Sequence, residues 1–390
     1  MSPHHHTPPR ADYPRVNQPA PLAADSALLQ PLNVGSLTLS NRIVFAPLTR
    51  MRAATDGVPN DMMATYYAQR SDVGLIVTEG TYPSQAGMKY VHGPGIINGA
   101  QQAGWKKVAD AVHNHGGTIV MQLMHAGFST HEKITGEKVI AASAVDHEGF
   151  LRDAEGNDVH YETPEPVAAA DIPGIVDEFV AAATRALDAG LDGVEVHSAN
   201  GYLLHQFLSP HTNLREDNYG GSPAARARLT AEVTRAIADA VGADKVGIRL
   251  SPGITMSGVT EDDPEDIYAT YQALMKTIAP LKLAYVSILH RDPNDKTVAM
   301  IRDSAQAHGT AVFFNDFSFG PTARPEGVAT NVAARAEEHY AHGAGDAIAI
   351  GRMVGANPSF VHKLTQGLAL NVPDPTTFYT HDAAGYIDYP

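Results

Sequence analysis

Three side chains able to polarise and protonate a substrate follow one short apolar run of the sequence. His197, Asn200 and Tyr202 fall within six consecutive positions at the end of the run that begins at Gly193. The imidazole and the amide can direct two hydrogen-bond donors at a single carbonyl or nitro oxygen, which stabilises the negative charge of an enolate. Tyr202 can donate a proton, because the ordinary pKa of a tyrosine, about 10, keeps it protonated at neutral pH. The spacing therefore indicates a site that polarises a substrate and protonates a carbanion-like carbon.

Polar residues also follow most of the other short apolar runs. Arg249 is a fixed cation suited to an anionic ring or a phosphate, and Gly351-Arg352 offers backbone N–H groups and a charge to a phosphate. The sequence has neither a Ser-centred elbow nor a titratable pair typical of a hydrolase, so the polar set favours binding and polarisation around a cofactor. The other members of this set are Pro47-Leu48-Thr49, Glu79-Gly80, Gln122 and Asn315-Asp316.

The elements that must position these residues alternate along the chain. Eight apolar runs, typical of strands buried on both faces of a parallel sheet, are separated by longer helical patterns. The predicted strands are Ile43–Ala46, Leu75–Thr78, Thr118–Leu123, Gly193–His197, Val246–Leu250, Ala284–Ser287, Ala311–Phe314 and Ala347–Ile350. The clearest predicted helices are Pro173–Ala189, Pro223–Val241, Pro264–Ile278 and one near Pro358–Leu368. This order predicts an α/β protein, a single (β/α)8 TIM barrel, whose working residues lie at the carboxyl ends of the strands. A doubly wound open sheet fits less well, because no Gly-rich turn follows the first strand.

Three segments depart from a minimal barrel. Residues 1–24 contain six prolines and few large apolar side chains, which predicts a flexible tail ahead of a barrel domain over residues 25–390. A hairpin-like step at Val34–Leu37 predicts an N-terminal plug in the barrel floor. The long polar stretch Phe128–Asp171, after strand three, predicts a lid over the catalytic face.

The composition restricts the possible partners. With 28 basic and 43 acidic residues the net charge is −15, so neither nucleic acid nor a membrane is an expected partner. The absence of cysteine excludes disulfides, thiolate catalysis and cysteine-bound zinc. His4, His5 and His6 could chelate a metal, but no other ligand cluster stands near them, and no metal site is predicted. Without a signal-peptide pattern a cytoplasmic location is expected, and the sequence leaves monomer and homodimer open.

A series of motifs after Leu28 resembles the Old Yellow Enzyme family of FMN-dependent ene-reductases. They are Asn41–Val44, Ala46–Arg52, Gln122–Gly127, Gly193–Leu204, Gln206–Pro210, Gly247–Pro252 and Gly385–Pro390. The resemblance implies an FMN-dependent oxidoreductase that takes hydride from NADPH or NADH. It also implies ping-pong reduction of small electrophilic alkenes: α,β-unsaturated carbonyls, maleimides or nitroalkenes.

The resemblance also implies which residues bind the cofactor. Thr49 would hydrogen-bond the flavin carbonyl beside N5, and Arg249 would face the N1/O2 region. Pro47, Leu48, Gly80 and Gln122 would line the flavin edge, while Asn315, Gly351 and Arg352 would hold the phosphate.

For the substrate, the same resemblance implies that His197 and Asn200 clamp the electron-withdrawing group. Tyr202 would be the proton donor, and Tyr90 and Tyr379 would form aromatic walls of the pocket.

One position departs from the family pattern, and other functions stay open. Asp316 stands where paired glycines usually let the backbone approach the phosphate, and its charge is unfavourable there unless it points away. The same donors would suit a nitroester or nitroaromatic reductase. A flavin-free barrel isomerase or lyase, or a barrel that binds ligands without turnover, are the remaining hypotheses.

Overall fold

Eight parallel strands close into one barrel in the computed structural model, which describes residues 12–18, 20–317 and 325–390. The strands are β1 Ile43–Phe45, β2 Leu75–Val77, β3 Ile119–Leu123, β4 Gly193–Ser198, β5 Val246–Leu250, β6 Tyr285–His290, β7 Ala311–Asp316 and β8 Ala347–Ile350. Strand β8 pairs with β1 through Ile348 and Ile43, which closes the ring. The strands are buried on both faces, as their continuous apolar runs require. The predicted (β/α)8 barrel is confirmed.

Amphipathic helices connect the strands and cover the outside of the barrel. They are α1 Asp61–Ala68, α2 Gly99–His113, α3 Ile172–Asp188, α4 Arg228–Val241, α5 Pro264–Ile278, α6 Lys296–Gln306 and α7 Pro325–Ala341. Helix α5 begins as its sequence predicts, because the Asp263 side chain accepts hydrogen bonds from the first-turn N–H groups of Glu265 and Asp266. Helix α4 buries Leu229, Val233 and Ile237, which are spaced one helical turn apart.

Five short helices complete the connections. They are Glu132–Thr135, Leu203–Leu208, Pro223–Arg226, Arg352–Gly355 and Phe360–Thr365. The segment predicted as one helix over Pro223–Val241 is divided at Ala227. The helix predicted near Pro358–Leu368 is shorter than expected. Ser359 has a φ of 51° and Gly367 a φ of 63°, and left-handed residues do not continue a right-handed helix.

A hairpin at the amino end packs against the interior of the barrel. Leu32–Val34 pairs antiparallel with Leu37–Leu39, and the turn places Gly35 at φ 56°. A Cβ at Gly35 would lie 2.1 Å from the carbonyl oxygen of Asp244, which lies two residues before the start of β5. Val34 and Leu39 are fully buried and form one apolar cluster with inward-facing residues of the barrel strands. The hairpin therefore fills the end of the barrel opposite the carboxyl ends of the strands.

The amino-terminal segment differs from the predicted flexible tail. Arg15–Val16 pairs antiparallel with Leu370–Asn371, and the Tyr13 hydroxyl donates to the Asp388 carboxylate at 3.0 Å. Leu22 is buried in the main core. These side chains give residues 12–18 and 20–24 a packed position that the proline-rich composition does not reveal. The part of the prediction that concerns residues 1–11 and 19, including His4–His6, lies outside the described residues.

The long stretch after β3 forms small local sheets above the barrel. Phe150–Arg152 pairs with Asp158–His160, and Ile140–Ala141 pairs with Glu165–Pro166. From this stretch, Leu151 and Val159 pack against residues of the loop that follows β2, among them Met88. The stretch thus lies over the carboxyl ends of the strands; its action as a lid stays a prediction. Among the described helices, none has the length and apolar character needed to cross a membrane.

Candidate active site

A cavity of about 280 Å³ lies at the carboxyl ends of the barrel strands. Every residue that the family resemblance assigned to cofactor or substrate lines it. These residues are Pro47, Leu48, Thr49, Gly80, Tyr90, Gln122, His197, Asn200, Tyr202, Arg249, Asn315, Gly351, Arg352 and Tyr379. A parallel barrel brings the ends of its strands together, so residues separated by 300 positions meet here.

The loop after β4 is fixed in a constrained backbone conformation. Asn200 has a φ of 59°, unusual for a residue with a side chain, and its N–H donates to the Ser251 hydroxyl at 3.0 Å. Gly201 follows at φ 86° and donates its N–H to Nδ1 of His205, also at 3.0 Å. A Cβ at Gly201 would lie 2.2 Å from the carbonyl oxygen of Met256. The loop therefore presents Asn200 to the cavity from a rigid backbone.

His197 is held as a neutral imidazole at the cavity wall. Burial lowers its pKa well below the ordinary value, and the electrostatic interactions with Arg249, His205 and Lys89 lower it further. Its ring lies 5.2 Å from the ring of Tyr202, centroid to centroid. Within the described residues, Nδ1 of His197 is buried without a hydrogen-bond partner. A neutral imidazole offers one donor and one acceptor, which suits a hydrogen bond to a substrate oxygen.

Arg249 forms the centre of a network that connects four strands. Its guanidinium donates to Ser287 Oγ of β6 at 3.2 Å and to Asn315 Oδ1 of β7 at 2.7 Å. The Asn315 amide in turn donates to the carbonyl oxygen of Ala349 in β8 at 2.8 Å. Burial lowers the pKa of Arg249, while the neighbouring Glu195 acts to raise it. The Nε of this guanidinium is buried without a hydrogen-bond partner among the described residues.

A second buried pair lies beside this network. Gln122 Nε2 of β3 donates to the Glu195 carboxylate of β4 at 2.8 Å. Burial raises the pKa of Glu195, while Arg249 and the Gln122 hydrogen bond act to lower it. Glu195 orients Gln122, yet the sequence analysis did not single it out, because it stands inside an apolar strand rather than at its end.

The carboxylate at Asp316 is paired rather than free. Its Oδ2 accepts hydrogen bonds from the guanidinium of Arg335 and from Nε2 of His339, the latter at 3.0 Å, and both partners belong to α7. The carboxylate therefore contributes less negative charge to this end of the cavity than the sequence suggests. Neither α7 residue could be found from the sequence, because only the fold brings the helix to this strand end. The loop residues 318–324 lie outside the described residues.

Two buried arginines fix the chain segment that forms the outer wall. Arg52 donates to the carbonyl oxygens of Thr377 at 2.8 Å and Phe378 at 2.9 Å. Arg50 also donates to the Phe378 carbonyl, at 3.2 Å. The next residue, Tyr379, is 58% exposed at the rim of the cavity. Phe378, which also lines the cavity, was missed because nothing in the local sequence distinguishes it from a packing residue.

No metal centre accompanies these groups in the part of the chain that the structure describes. There, no cluster of three or more His, Asp or Glu side chains is close enough to hold an ion.

Comparisons with known proteins agree on one family. Residues 27–371 match the model of the NADH:flavin oxidoreductase / NADH oxidase family. The chain is 38% identical over 376 residues to a probable flavin mononucleotide-dependent alkene reductase of Leishmania infantum, covering 93% of this chain and 97% of that protein. The structure of the Old Yellow Enzyme homologue of Zymomonas mobilis matches with a TM-score of 0.85 at 32% identity, over 93% and 99% of the two chains. Morphinone reductase in complex with tetrahydroNAD matches with a TM-score of 0.83 at 38% identity, over 93% and 97%.

The fold and the cavity define a barrel oxidoreductase with its polar groups gathered at the strand ends. The chain belongs to the Old Yellow Enzyme family, the FMN-dependent NADH:flavin oxidoreductases. Its relatives include alkene and enoate reductases, and the morphinone reductase complex is consistent with a nicotinamide hydride donor. The family, the enzyme class and FMN as cofactor, all expected from the sequence motifs, are confirmed.

Proposed function

We propose that this chain is an NAD(P)H-dependent ene-reductase that reduces activated carbon–carbon double bonds of small electrophilic alkenes. The substrates proposed are α,β-unsaturated carbonyls, maleimides and nitroalkenes. The observation that carries the proposal is the convergence of His197, from the end of β4, and of Asn200 and Tyr202, from the constrained loop that follows, on the cavity that also contains Arg249.

The residues around the cavity fit FMN. Arg249, with its unpartnered Nε, would face the anionic part of the flavin, and Thr49 the carbonyl beside N5. The ring edge would lie against Pro47, Leu48, Gly80 and Gln122, and the phosphate against Asn315, Gly351 and Arg352. The chemistry that FMN supplies when bound is hydride exchange, from the nicotinamide donor to the alkene.

The chain's own residues polarise and protonate the substrate. The neutral imidazole of His197 and the amide of Asn200 donate hydrogen bonds to the carbonyl or nitro oxygen, where negative charge develops. Tyr202 gives its phenolic proton to the α-carbon of the alkene. Tyr90 and Tyr379 form apolar walls that exclude water from the reacting atoms.

The visible absorption spectrum of the purified protein tests the proposal. Flavin bands should bleach on anaerobic addition of NADPH and return on addition of cyclohexenone. Bands that bleach but do not return with the enone would contradict the ene-reductase activity and leave the cofactor assignment intact. A colourless protein that fails to take up added FMN would contradict cofactor binding itself.

A further inference from the structure

Lys89 is a buried ammonium group beside the proposed proton donor. Only 6% of the residue is exposed, and no carboxylate of the described residues pairs with it. Its Nζ donates to the Tyr202 hydroxyl at 3.4 Å and lies 4.6 Å from the centroid of the Tyr202 ring. It also lies 5.2 Å from the centroid of Tyr90. The lysine thus contacts the phenol from outside the cavity that holds the substrate site.

Aromatic groups from three parts of the chain surround this ammonium. Tyr90 follows Lys89 in the loop after β2, Tyr202 belongs to the loop after β4, and Tyr161 belongs to the stretch after β3. Burial acts to lower the pKa of Lys89, but the interactions with Tyr202, Tyr90 and Tyr161 raise it above its ordinary value. The ammonium of Lys89 and an ionised phenol beside it therefore stabilise each other.

Two histidines also face the group. His147 is packed between Phe128 and Tyr161, with ring centroids 4.1 Å away on each side, and Lys89 lowers its pKa further after burial has done so. Burial and the interaction with Lys89 also lower the pKa of His197. Both histidines are therefore neutral at physiological pH. Neither carries a charge that would interact with Lys89 in place of Tyr202.

Packing alone does not account for a lysine at this position. Burying an ammonium without a carboxylate is unfavourable, and a methionine would fill a similar space without that penalty. The charge is useful where negative charge appears, and the phenolic oxygen of Tyr202 is the neighbouring atom that loses a proton in the proposed reaction. A cation in contact with an oxygen stabilises its ionised form.

We propose that Lys89 is a positioning residue that orients the Tyr202 phenol and stabilises the charge left on its oxygen. This inference rests on the proposed function. In the step concerned, the O–H bond of Tyr202 breaks as a C–H bond forms at the α-carbon of the substrate. The phenolate then lies beside the ammonium of Lys89 until a proton from water restores the phenol.

Rapid-mixing kinetics of K89M test the role. Reoxidation of the reduced enzyme by cyclohexenone should slow about tenfold or more, since a well-placed proton donor contributes at least that much. Flavin reduction by NADPH should stay within about twofold, because it needs no proton from Tyr202. K89R should restore most of the reoxidation rate, and K106M, which removes an exposed lysine of α2, should change neither step.

A double-mutant comparison separates this role from a structural one. In a Y202F background, K89M should cause no further loss, because coupled residues are not additive. A further loss of the same size in that background would overturn the proposal, as would equal slowing of both half-reactions.

A spectroscopic measurement tests the contact independently of turnover. In protein labelled with ¹³Cζ-tyrosine, the Tyr202 resonance is identified by its absence from Y202F. It should shift in K89M and stay near its wild-type position in K89R, with or without FMN. An unmoved resonance in K89M would overturn the inference whatever the activity. A shifted resonance in a protein that does not reduce the enone would overturn the proposed function and leave the contact established.

Discussion

At the scale of single residues, the proposed reaction depends on the phenol of Tyr202 as its proton donor. His197 is kept neutral by burial and by nearby cations, so it can donate a hydrogen bond but is a poor source of a proton. Lys89 touches Tyr202 from behind rather than lining the cavity. In the proposed reaction, Tyr202 therefore protonates the substrate, and His197 and Asn200 polarise it.

Y202F should slow the proton-dependent half-reaction and leave flavin reduction by NADPH almost unchanged. The phenylalanine keeps the ring and removes the hydroxyl, so a loss of about 10²-fold or more is expected in reoxidation by an enone. Stopped-flow absorbance of the two half-reactions measures each rate separately. Equal losses in both would show that Tyr202 is not the proton donor.

The site residues that could be predicted are those at strand ends, and the reason is geometric. A polar residue where an apolar run stops is visible in the sequence, and a parallel barrel gathers all such positions. Glu195 and Ser287 stand inside strands, and Lys89 lies in a loop whose sequence has no pattern of its own. Arg335 and His339 lie on a helix whose contact with Asp316 depends on how α7 packs. No local pattern carries that information.

At the scale of elements, the loop between β4 and its following helix positions Asn200, one of the two groups proposed to donate hydrogen bonds to the substrate. Gly201 is pressed against the Met256 carbonyl, and Asn200 is tied to Ser251. Both residues have left-handed backbone conformations. The backbone of the loop therefore determines where Asn200 lies, whichever rotamer its side chain adopts.

G201A should destabilise the protein more than a matched glycine replacement elsewhere. Both Gly201 and Gly116 have positive φ, 86° and 74°, but nothing lies within 4 Å of a Cβ at Gly116. G116A should therefore show only the cost of the left-handed backbone, about 1 kcal/mol. G201A adds the collision with Met256 and should lose about 1–3 kcal/mol more in chemical unfolding. Equal losses would show that the loop yields easily at Met256.

The strands were predicted in number and order, but their ends were not all predicted. The largest differences are at β6 and β7, which continue to His290 and Asp316, three and two residues past the apolar runs that predicted them. These two residues pair in register. An apolar run reports burial, but the hydrogen-bonded ladder continues through polar residues as long as the neighbouring strand does. The end of an apolar run therefore marks the start of the candidate site, and the strand itself can continue beyond it.

At the scale of the whole molecule, buried titratable groups tie stability to pH. Burial lowers the pKa of His125 to about 3, well below the value of about 6.5 expected in the unfolded chain. Between these values the unfolded chain binds a proton that the folded protein does not. The free energy of unfolding therefore falls as the pH falls through this window. Burial raises the pKa values of Glu79 and Glu195. Above the ordinary pKa of a glutamate, the folded protein therefore binds protons that the unfolded chain does not, and this contribution to the free energy of unfolding falls as the pH rises.

H125N isolates this contribution. Asparagine can keep an acceptor near the position of Nδ1, which receives the N–H of Gly127 at 3.1 Å, but it does not titrate. Between about pH 6 and pH 4, the wild-type unfolding free energy should fall faster than that of H125N, by about 1.4 kcal/mol per pH unit. Denaturant unfolding at several pH values measures both slopes, and the glutamates contribute equally to each. Parallel slopes would show that His125 gains no proton on unfolding in this range.

The hairpin at Leu32–Leu39 limits how the cavity can be reached, and this affects the order in which substrates can bind. Val34 and Leu39 fill its amino end with buried apolar side chains, so the cavity is reached from the carboxyl end. In the proposed reaction, a nicotinamide and an alkene would both need the face of one flavin, and they would then occupy the same space in turn. An excess of either compound should then exclude the other from the shared cavity. Steady-state kinetics should therefore show substrate inhibition by the donor and by the acceptor.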